Sequence, residues 1–529
     1  MKTRRPPNAR SRHLSQLAFV VLLALALLAL FMARPVSISG DALEYTVDAV
    51  AIATHGTPEI RSSDIDRTMA ILPGRFDGLF RMLQDEMRRG VQDVYPAFAR
   101  GRGGEVYPVH FFGYPLMAAL PLRLLEALGQ PPFKAFQAVN LAFVFVLGLA
   151  LRRFFASSAR AAFGLLLFML CCGVLYWTWT SPECASAAAL LAALLLFTSG
   201  MPVAGALLAG LAAQQNPTIV FFFVFAPLIR MALGWDRSRG LTGNLRAQVT
   251  LRTMAALAAG AAVAALPILF NLYHYGVPNL IVARFSDPGL IGSTRLLSFF
   301  ADLNQGMVIG IPGVLAALLL VGARGLRLLA LCLLFTLALV LPALAVINWN
   351  SGAAGPMRYV AWASMPLLFT LLAMLRELPT WRPAALAGVL ALQAAAMVHA
   401  TRYEYIEFSP LAALVLKHAP AWYHPEPEIF VERMGHNDNW VEPEKIYTYQ
   451  VDGVRIKTLV HASNAGLDAA LCRAGARLAP GNAVTVSARG WRYLDGPLRC
   501  TPAGPQGAMG SSTATSTEAS TALPTGSTP

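Results

Sequence analysis

The sequence predicts an all-α polytopic membrane protein carrying a small extracytoplasmic α/β region at its C-terminal end. Three observations predict it. Hydrophobic residues make up 56% of the 529-residue chain and charged ones only 13%, where soluble proteins carry about 25% charged residues. Apolar runs of about 20 residues, each able to cross a bilayer as a helix, recur between residues 14 and 400. The arginines gather in the connections on one side of those runs, as topology requires. That gathering also explains the net charge of +13 without nucleic acid, since basic stripes interleaved with aromatics are absent.

The first element is a run over 14–33, preceded by Lys2, Arg4, Arg5, Arg10 and Arg12. It is too long for a signal-peptide core. Residues 1–13 are therefore expected to be a cytoplasmic N-terminus and 14–33 an uncleaved helix. About 11 spans follow from run length, over 14–33, 133–151, 160–178, 184–199, 201–215, 217–233, 253–272, 305–322, 327–347, 358–375 and 383–400. The connections that this order places inside carry Arg152, Arg153, Arg160, Arg230, Arg237, Arg239, Arg246, Arg252, Arg324, Arg327, Arg376 and Arg382, against only Asp236 and Glu377. An odd span count puts the C-terminal part outside.

Polar residues gather on that outer side. The first outer loop, 34–132, contains two amphipathic stretches, 77–89 and 110–128, suited to the interface. Further outer segments are 273–304 and the short Asn348–Gly352 loop leading to Arg358. Residues 401–504 form a soluble region with short strands at 454–460 and 483–486. Its Cys472 and Cys500 lie where a disulfide is allowed. Cys171, Cys172, Cys184 and Cys332 sit in or beside apolar runs and act as small hydrophobes. Residues 505–529, rich in Ser and Thr, are expected to be disordered.

The densest chemistry is Gly40-Asp41-Ala42-Leu43-Glu44-Tyr45, just outside the first span. Asp41, Glu44 and Asp48 fall at i, i+3 and i+7, on one face of a helix. A carboxylate there can take a proton from an acceptor hydroxyl, or a pair can hold a divalent metal. The same spacing fits a capping box, with Asp41 as N-cap and Glu44 at N3. His110, in Tyr107–Pro115, can donate to a phosphate or be one residue of an interfacial aromatic belt. Glu183 opens a helix, where a carboxylate also favours the dipole. Asn216-Pro217 interrupts an apolar stretch, either as a hydrogen-bonded kink or as a cavity wall. Arg358 is either a bidentate phosphate ligand or a snorkelling cation.

Taken in order, Gly40-Asp41-x-x-Glu44-Tyr45 with His55-Gly56, His110-x-x-Gly113-Tyr114-Pro115, Ser181-Pro182-Glu183 and Gly355-Pro356-x-Arg358-Tyr359 resemble the landmarks of bacterial membrane glycosyltransferases of the GT-C fold. These are relatives of the protein mannosyltransferases and aminoarabinose transferases. The resemblance covers residues 14–400, with a weaker likeness near 420–431. It implies a GT-C-like fold in the bacterial inner membrane, N-terminus cytoplasmic and C-terminus periplasmic. It implies transfer of a sugar from a polyprenyl-phosphate donor to a lipid, glycan or protein acceptor on the outer face. Asp41 and Glu44 would be catalytic. Tyr45, His110, Tyr114, Glu183, Asn216, Arg358 and Tyr359 would bind the substrate or its lipid phosphate. Some relatives use first-loop acids with a divalent metal, so Mg or Mn held by Asp41 and Glu44 is an open alternative. The mannosyltransferase pattern has two adjacent acids, whereas Ala42 follows Asp41 here. Two other readings compete. A transporter or lipid flippase would carry ionisable residues in mid-membrane, which are scarce here. A non-catalytic envelope assembly protein would act through residues 401–529.

Overall fold

The computed structural model describes residues 9–95, 97–320, 325–352, 355–437 and 441–502. The tail expected to be disordered at 505–529, and residues 1–8 of the expected cytoplasmic N-terminus, lie outside them. Among the described residues, seven helices are long and apolar enough to cross a membrane: Leu14–Ala33, Lys134–Phe155, Ser158–Tyr176, Leu251–Tyr275, Leu326–Ala343, Arg358–Glu377 and Pro383–Ala400. An eighth span results if Pro217–Leu233 and Arg237–Arg246, bent by 110°, count as one. The chain is a polytopic membrane protein.

Four of the expected spans fall short of that standard, each for a local reason. Glu183–Thr198 and Pro202–Ala213 are apolar but only 16 and 12 residues long. The segment at 217–233 begins with a 3-10 turn, Pro217–Phe221. The expected helix over 305–322 is split into Met307–Gly310 and Pro312–Leu319, because proline lacks the N–H that would continue the ladder.

Lipid and core divide the apolar residues. Leu14, Leu17, Leu22, Leu25 and Leu28 of the first helix are exposed, as suits hydrocarbon rather than water. Glu183–Thr198 is instead buried along nearly its whole length. Its alanines and the glycines of its neighbours let backbones approach closely. A Cβ on Gly210 would lie 2.4 Å from the Gly260 carbonyl, the small-residue packing typical of membrane helices.

The segment that follows α1 (Ala9–Ala33) folds onto this core. It holds α2 (Ala42–His55), α3 (Ser62–Ile71), α4 (Asp77–Arg89), the strands β1 (Asp93–Val94), β2 (Phe98–Arg100) and β3 (Val106–Pro108), and α5 (Gly113–Ala127). The amphipathic stretches expected at 77–89 and 110–128 correspond to α4 and α5. The antiparallel sheet β1-β2-β3 was not expected, since strands of two or three residues carry no readable alternation. Helix α2 is buried from Ala42 to Ala53. Its Tyr45, Ala49 and Val50 pack with Tyr114, Ala118 and Leu122 of α5.

The chain entering α2 is clamped from one side. Ser37 N–H donates to the Thr178 carbonyl at 2.8 Å, and Thr180 N–H returns a bond to the Ser37 carbonyl at 3.0 Å. Trp179 Nε1 donates to Ser39 Oγ at 2.7 Å. Gly40 follows with φ +64°, and a Cβ there would meet the Trp179 ring at 2.9 Å. Gly40→Ala is therefore expected to destabilise by more than about 1 kcal/mol. Thermal unfolding of the purified protein tests this; a midpoint equal to wild type would show that the clamp does not constrain Gly40.

The domain boundary differs from expectation. Two compact units are present, one comprising Met1–Glu442 with Ser487–Arg489 and the other Pro443–Val486 with Gly490–Pro529. Residues 401–442, expected to belong to the soluble region, are part of the first unit. Several of their polar groups are buried partners rather than solvated surface. Tyr423 Oη donates to Asp302 at 2.7 Å and accepts from Asn304 at 2.6 Å. Arg433 donates to Gln305 at 2.7 Å. The second unit holds β4 (Tyr447–Val451), β5 (Val454–His461), β6 (Ala476–Leu478), β7 (Ala483–Val486), β8 (Trp491–Asp495) and β9 (Cys500–Pro502). Four of these form an antiparallel sheet in the order β4-β5-β8-β7. Cys472 and Cys500 are joined by a disulfide.

Candidate active site at the start of the second helix

Asp41 occupies the N-cap position of α2, but its side chain makes no capping bond. The carboxylate points elsewhere. Arg358 Nη1 donates to Asp41 Oδ2 at 2.5 Å, and His110 Nε2 lies 3.9 Å from the same oxygen. Glu44, one turn on, does not close a capping box either. Its Oε1 accepts the His110 backbone N–H and its Oε2 the His110 Nδ1, both at 2.6 Å. The capping reading therefore fails at both acids. Each side chain is drawn to a cation from a distant part of the chain, which is worth more than a neutral cap bond.

The two acids differ in access. Asp41 and His110 are 24% and 23% exposed, whereas Glu44 is 2% exposed. Their surroundings also shift them in opposite directions. Burial pushes Asp41 up, but the adjacent Arg358 and His110 charges outweigh it and hold the carboxyl below its ordinary range. Burial pushes Glu44 up, and His110 offsets that only in part. Environments that drive two neighbouring carboxyls in opposite directions mark acid–base sites.

Burial opposes protonation of His110, yet Glu44 and Asp41 prevail and raise it from 6.5 to about 9. The imidazole is thus a cation at neutral pH. A group raised on folding contributes stability that is complete below its unfolded value and lost as pH climbs through its folded one. Wild-type stability is expected to fall from pH 6.5 through about 9, and His110→Asn should flatten that slope. Unfolding midpoints measured across this window test it, and parallel slopes in the two proteins would refute it.

The other expected site residues divide into two groups. Tyr45 joins the cluster: its ring centroid is 5.6 Å from that of His110 and 5.9 Å from that of Tyr114. Gln215 ties these aromatics together, donating to Tyr45 Oη and accepting the Tyr114 backbone N–H, each at 3.1 Å. The Tyr359 ring lies 5.2 Å from the Arg358 guanidinium. Glu183 is within electrostatic reach of Arg358 and Asp41. Tyr114 Oη, by contrast, turns into the core and donates to Asn140 at 3.1 Å. Asn216 is engaged by Ser186 at 2.8 Å, the hydrogen-bonded kink rather than the cavity wall.

Several buried polar atoms near the cluster have no hydrogen-bond partner among the described residues: Arg358 Nε, Glu183 Oε2 and Thr180 Oγ1. Unpaired groups of this kind are expensive and gather where a polar ligand or water completes them. Asp48, third acid of the α2 stripe, is 1% exposed, and among the described residues neither of its oxygens has a hydrogen-bond partner. Burial, then Glu44, push its carboxyl well above the ordinary range.

Among the described residues, no three His, Cys, Asp or Glu side chains are grouped to hold a metal ion. Asp41 is engaged by Arg358, and both Glu44 oxygens by His110. A divalent cation held jointly by the two acids would have to displace the His110 imidazole from Glu44, whereas Asp41 keeps its second oxygen clear of Arg358.

Compared with known proteins, the chain matches no family model, no curated protein and no solved structure. The reading of the site therefore stands on its own geometry.

Sequence reasoning left out three contributors. Gln215 stands just before Asn216-Pro217, Asn140 lies inside the expected 133–151 span, and Trp179 falls between the expected spans at 160–178 and 184–199. Polar residues inside apolar runs are the signal for the first two, since each must find a partner away from water. Nothing in the local sequence marks Trp179.

Proposed function

We propose that the protein is a membrane glycosyltransferase that moves a sugar from a polyprenyl-phosphate donor to a hydroxyl acceptor. One observation carries this reading: an accessible carboxylate, Asp41, lies between two cations, Arg358 and His110, near buried polar atoms that lack partners among the described residues. Phosphate chemistry at a membrane surface calls for paired cations. Hydroxyl activation calls for a carboxylate close to them.

In the resting arrangement Arg358 weakens Asp41 as a base. A donor phosphate competes for the same guanidinium, and its arrival frees the carboxylate and raises its basicity. Asp41 then takes the acceptor's hydroxyl proton. The acceptor oxygen bonds to the anomeric carbon as the bond from that carbon to the phosphate oxygen breaks. The electron pair leaves with the polyprenyl phosphate, whose added charge Arg358 and His110 hold. Glu44 keeps His110 protonated and oriented. Glu183, Thr180 and Ser181 are placed to receive sugar hydroxyls. Tyr45, held by Gln215, walls the site. We read the site as facing the outer side of a bacterial inner membrane, with the short helices at 183–198 and 202–213 and the broken segments at 217–233 and 307–319 completing the eleven passages.

The test uses the full chain in liposomes with a radiolabelled polyprenyl-phosphate sugar and a panel of lipid, glycan and peptide acceptors. Label moving to an acceptor supports the reading. Flux of the donor across the bilayer without transfer would replace it with the flippase reading.

A further inference from the structure

A second polar cleft, of about 450 Å³, lies away from Asp41, lined by Gln92, Arg100, Arg102, His274, Tyr275 and Arg284 among others. It is built by the β2–β3 hairpin meeting the end of the Leu251–Tyr275 span. Arg102 N–H donates to the His274 carbonyl at 2.8 Å, and Tyr275 Oη donates to the Ala99 carbonyl at 3.3 Å. These bonds fix the hairpin against the helix end.

The three arginines have different duties. Arg100 gives its N–H groups to the carbonyls of Val91, Gly104 and Met87 at 3.2, 2.6 and 2.9 Å. It shapes the hairpin and leaves only its charge to the cleft. Arg284 is paired with Asp93. Arg102 is exposed and makes no side-chain bond among the described residues. Its guanidinium rests on Gly276, where a Cβ would fall 1.8 Å from Nη2 and where φ is +76°. A side chain at 276 would displace it, so the glycine provides the space that Arg102 occupies. Two carboxylates oppose the three guanidinium groups: Asp93, and Glu105 within electrostatic reach of His274. The cleft keeps a positive balance.

Its height relative to the bilayer is set by the span that ends in it. Tyr273 is 78% exposed, and Val282 and Phe285, just beyond, are 61% and 43% exposed. Aromatic and aliphatic side chains exposed at a span's end belong at the headgroup level. A guanidinium held at that level can pair bidentately with a lipid phosphate.

We propose that this cleft binds the phosphate group of a membrane lipid headgroup, with Arg102 and Arg284 as its cationic ligands. The assignment is independent of sugar transfer, and Asp41→Asn should leave it intact. It is tested by native mass spectrometry of the full chain titrated with phosphatidylglycerol in zwitterionic micelles. Arg102 has no structural partner, so Arg102→Gln should fold normally. It should weaken phosphatidylglycerol binding about tenfold, the effect of one charge-assisted hydrogen bond. Arg102→Lys should weaken it less. Arg81→Gln, which removes an exposed arginine of α4, should have no effect. Binding unchanged in Arg102→Gln, or lost equally in Arg81→Gln, would overturn the proposal. Pyrophosphate binding that falls in Arg102→Gln while lipid binding stays constant would also overturn it, in favour of a free anion.

Discussion

Asp41→Asn is expected to lower sugar transfer in proteoliposomes by about 10²–10⁴-fold, the range that a positioned general base supplies. The asparagine keeps the shape of the side chain and an oxygen for Arg358 at the 2.5 Å contact. What it loses is the charge and the ability to take a proton. Folding and donor binding should therefore survive, and the loss should fall on turnover. Arg358→Gln offers a contrast, since it should weaken donor binding as well as transfer. Full transfer by Asp41→Asn would end the catalytic assignment. If truncation after Glu442, which spares the partners of Arg295 and Asp302, then abolished function while Asp41 proved dispensable, the assembly-protein reading would take its place.

The largest expected effect on stability comes from Arg295→Met. Arg295 is 1% exposed and bonds both oxygens of Glu428 at 2.6 Å. It also donates to the carbonyls of Leu344 and Val346 at 2.5 and 3.0 Å. Trp349 Nε1 joins the same carboxylate at 2.8 Å. Removing one partner of a buried pair costs about 3–5 kcal/mol, because the remaining charge stays desolvated. Arg489, in the same unit at 3.0 Å from Glu428, places the expected loss toward the lower end. The double replacement Arg295→Met with Glu428→Gln should recover part of it. Denaturant unfolding in detergent measures both. An unchanged midpoint for the single variant would mean that the pair contributes nothing net.

This second network shows where sequence reading stopped. Pro425–Glu428 reads locally as a polar, solvated stretch, and 401–504 reads as one soluble region. The carboxylate at 432 is instead buried and the one at 428 largely covered, as partners of Arg295, Trp349, Asn350 and Arg433. Arg433 is the chain neighbour of Glu432, but Arg295, Trp349 and Asn350 are 79 to 133 residues from the acids they meet, and no local pattern points to them.

The first acidic motif shows both sides of the limit. Spacing identified Asp41, Glu44 and Asp48 as one stripe, and the stripe is real. Spacing also offered a capping box, which the fold declined. Two nearby cations stabilise the carboxylates more than backbone N–H groups would, and no local pattern says that residues 41, 110 and 358 meet. The run-length argument had a similar reach. It located the apolar segments, yet it overstated how many are continuous helices, because prolines at 217 and 312 and short runs near 183–213 break or shorten them.

By itself, then, the sequence determined a membrane protein of many helices, the positions of its apolar segments and the identity of its acids and arginines. Those follow from composition and period, which are local quantities. Only the tertiary structure decided which carboxylate faces which cation. It gave Asp41 to Arg358, Glu44 to His110 and Glu428 to Arg295, and among the described residues it left Asp48 without a hydrogen-bond partner. The physical reason is that burial and Coulomb pairing depend on distance in space, and helices that pack on alanine and glycine bring together residues that the chain keeps 66 to 317 positions apart.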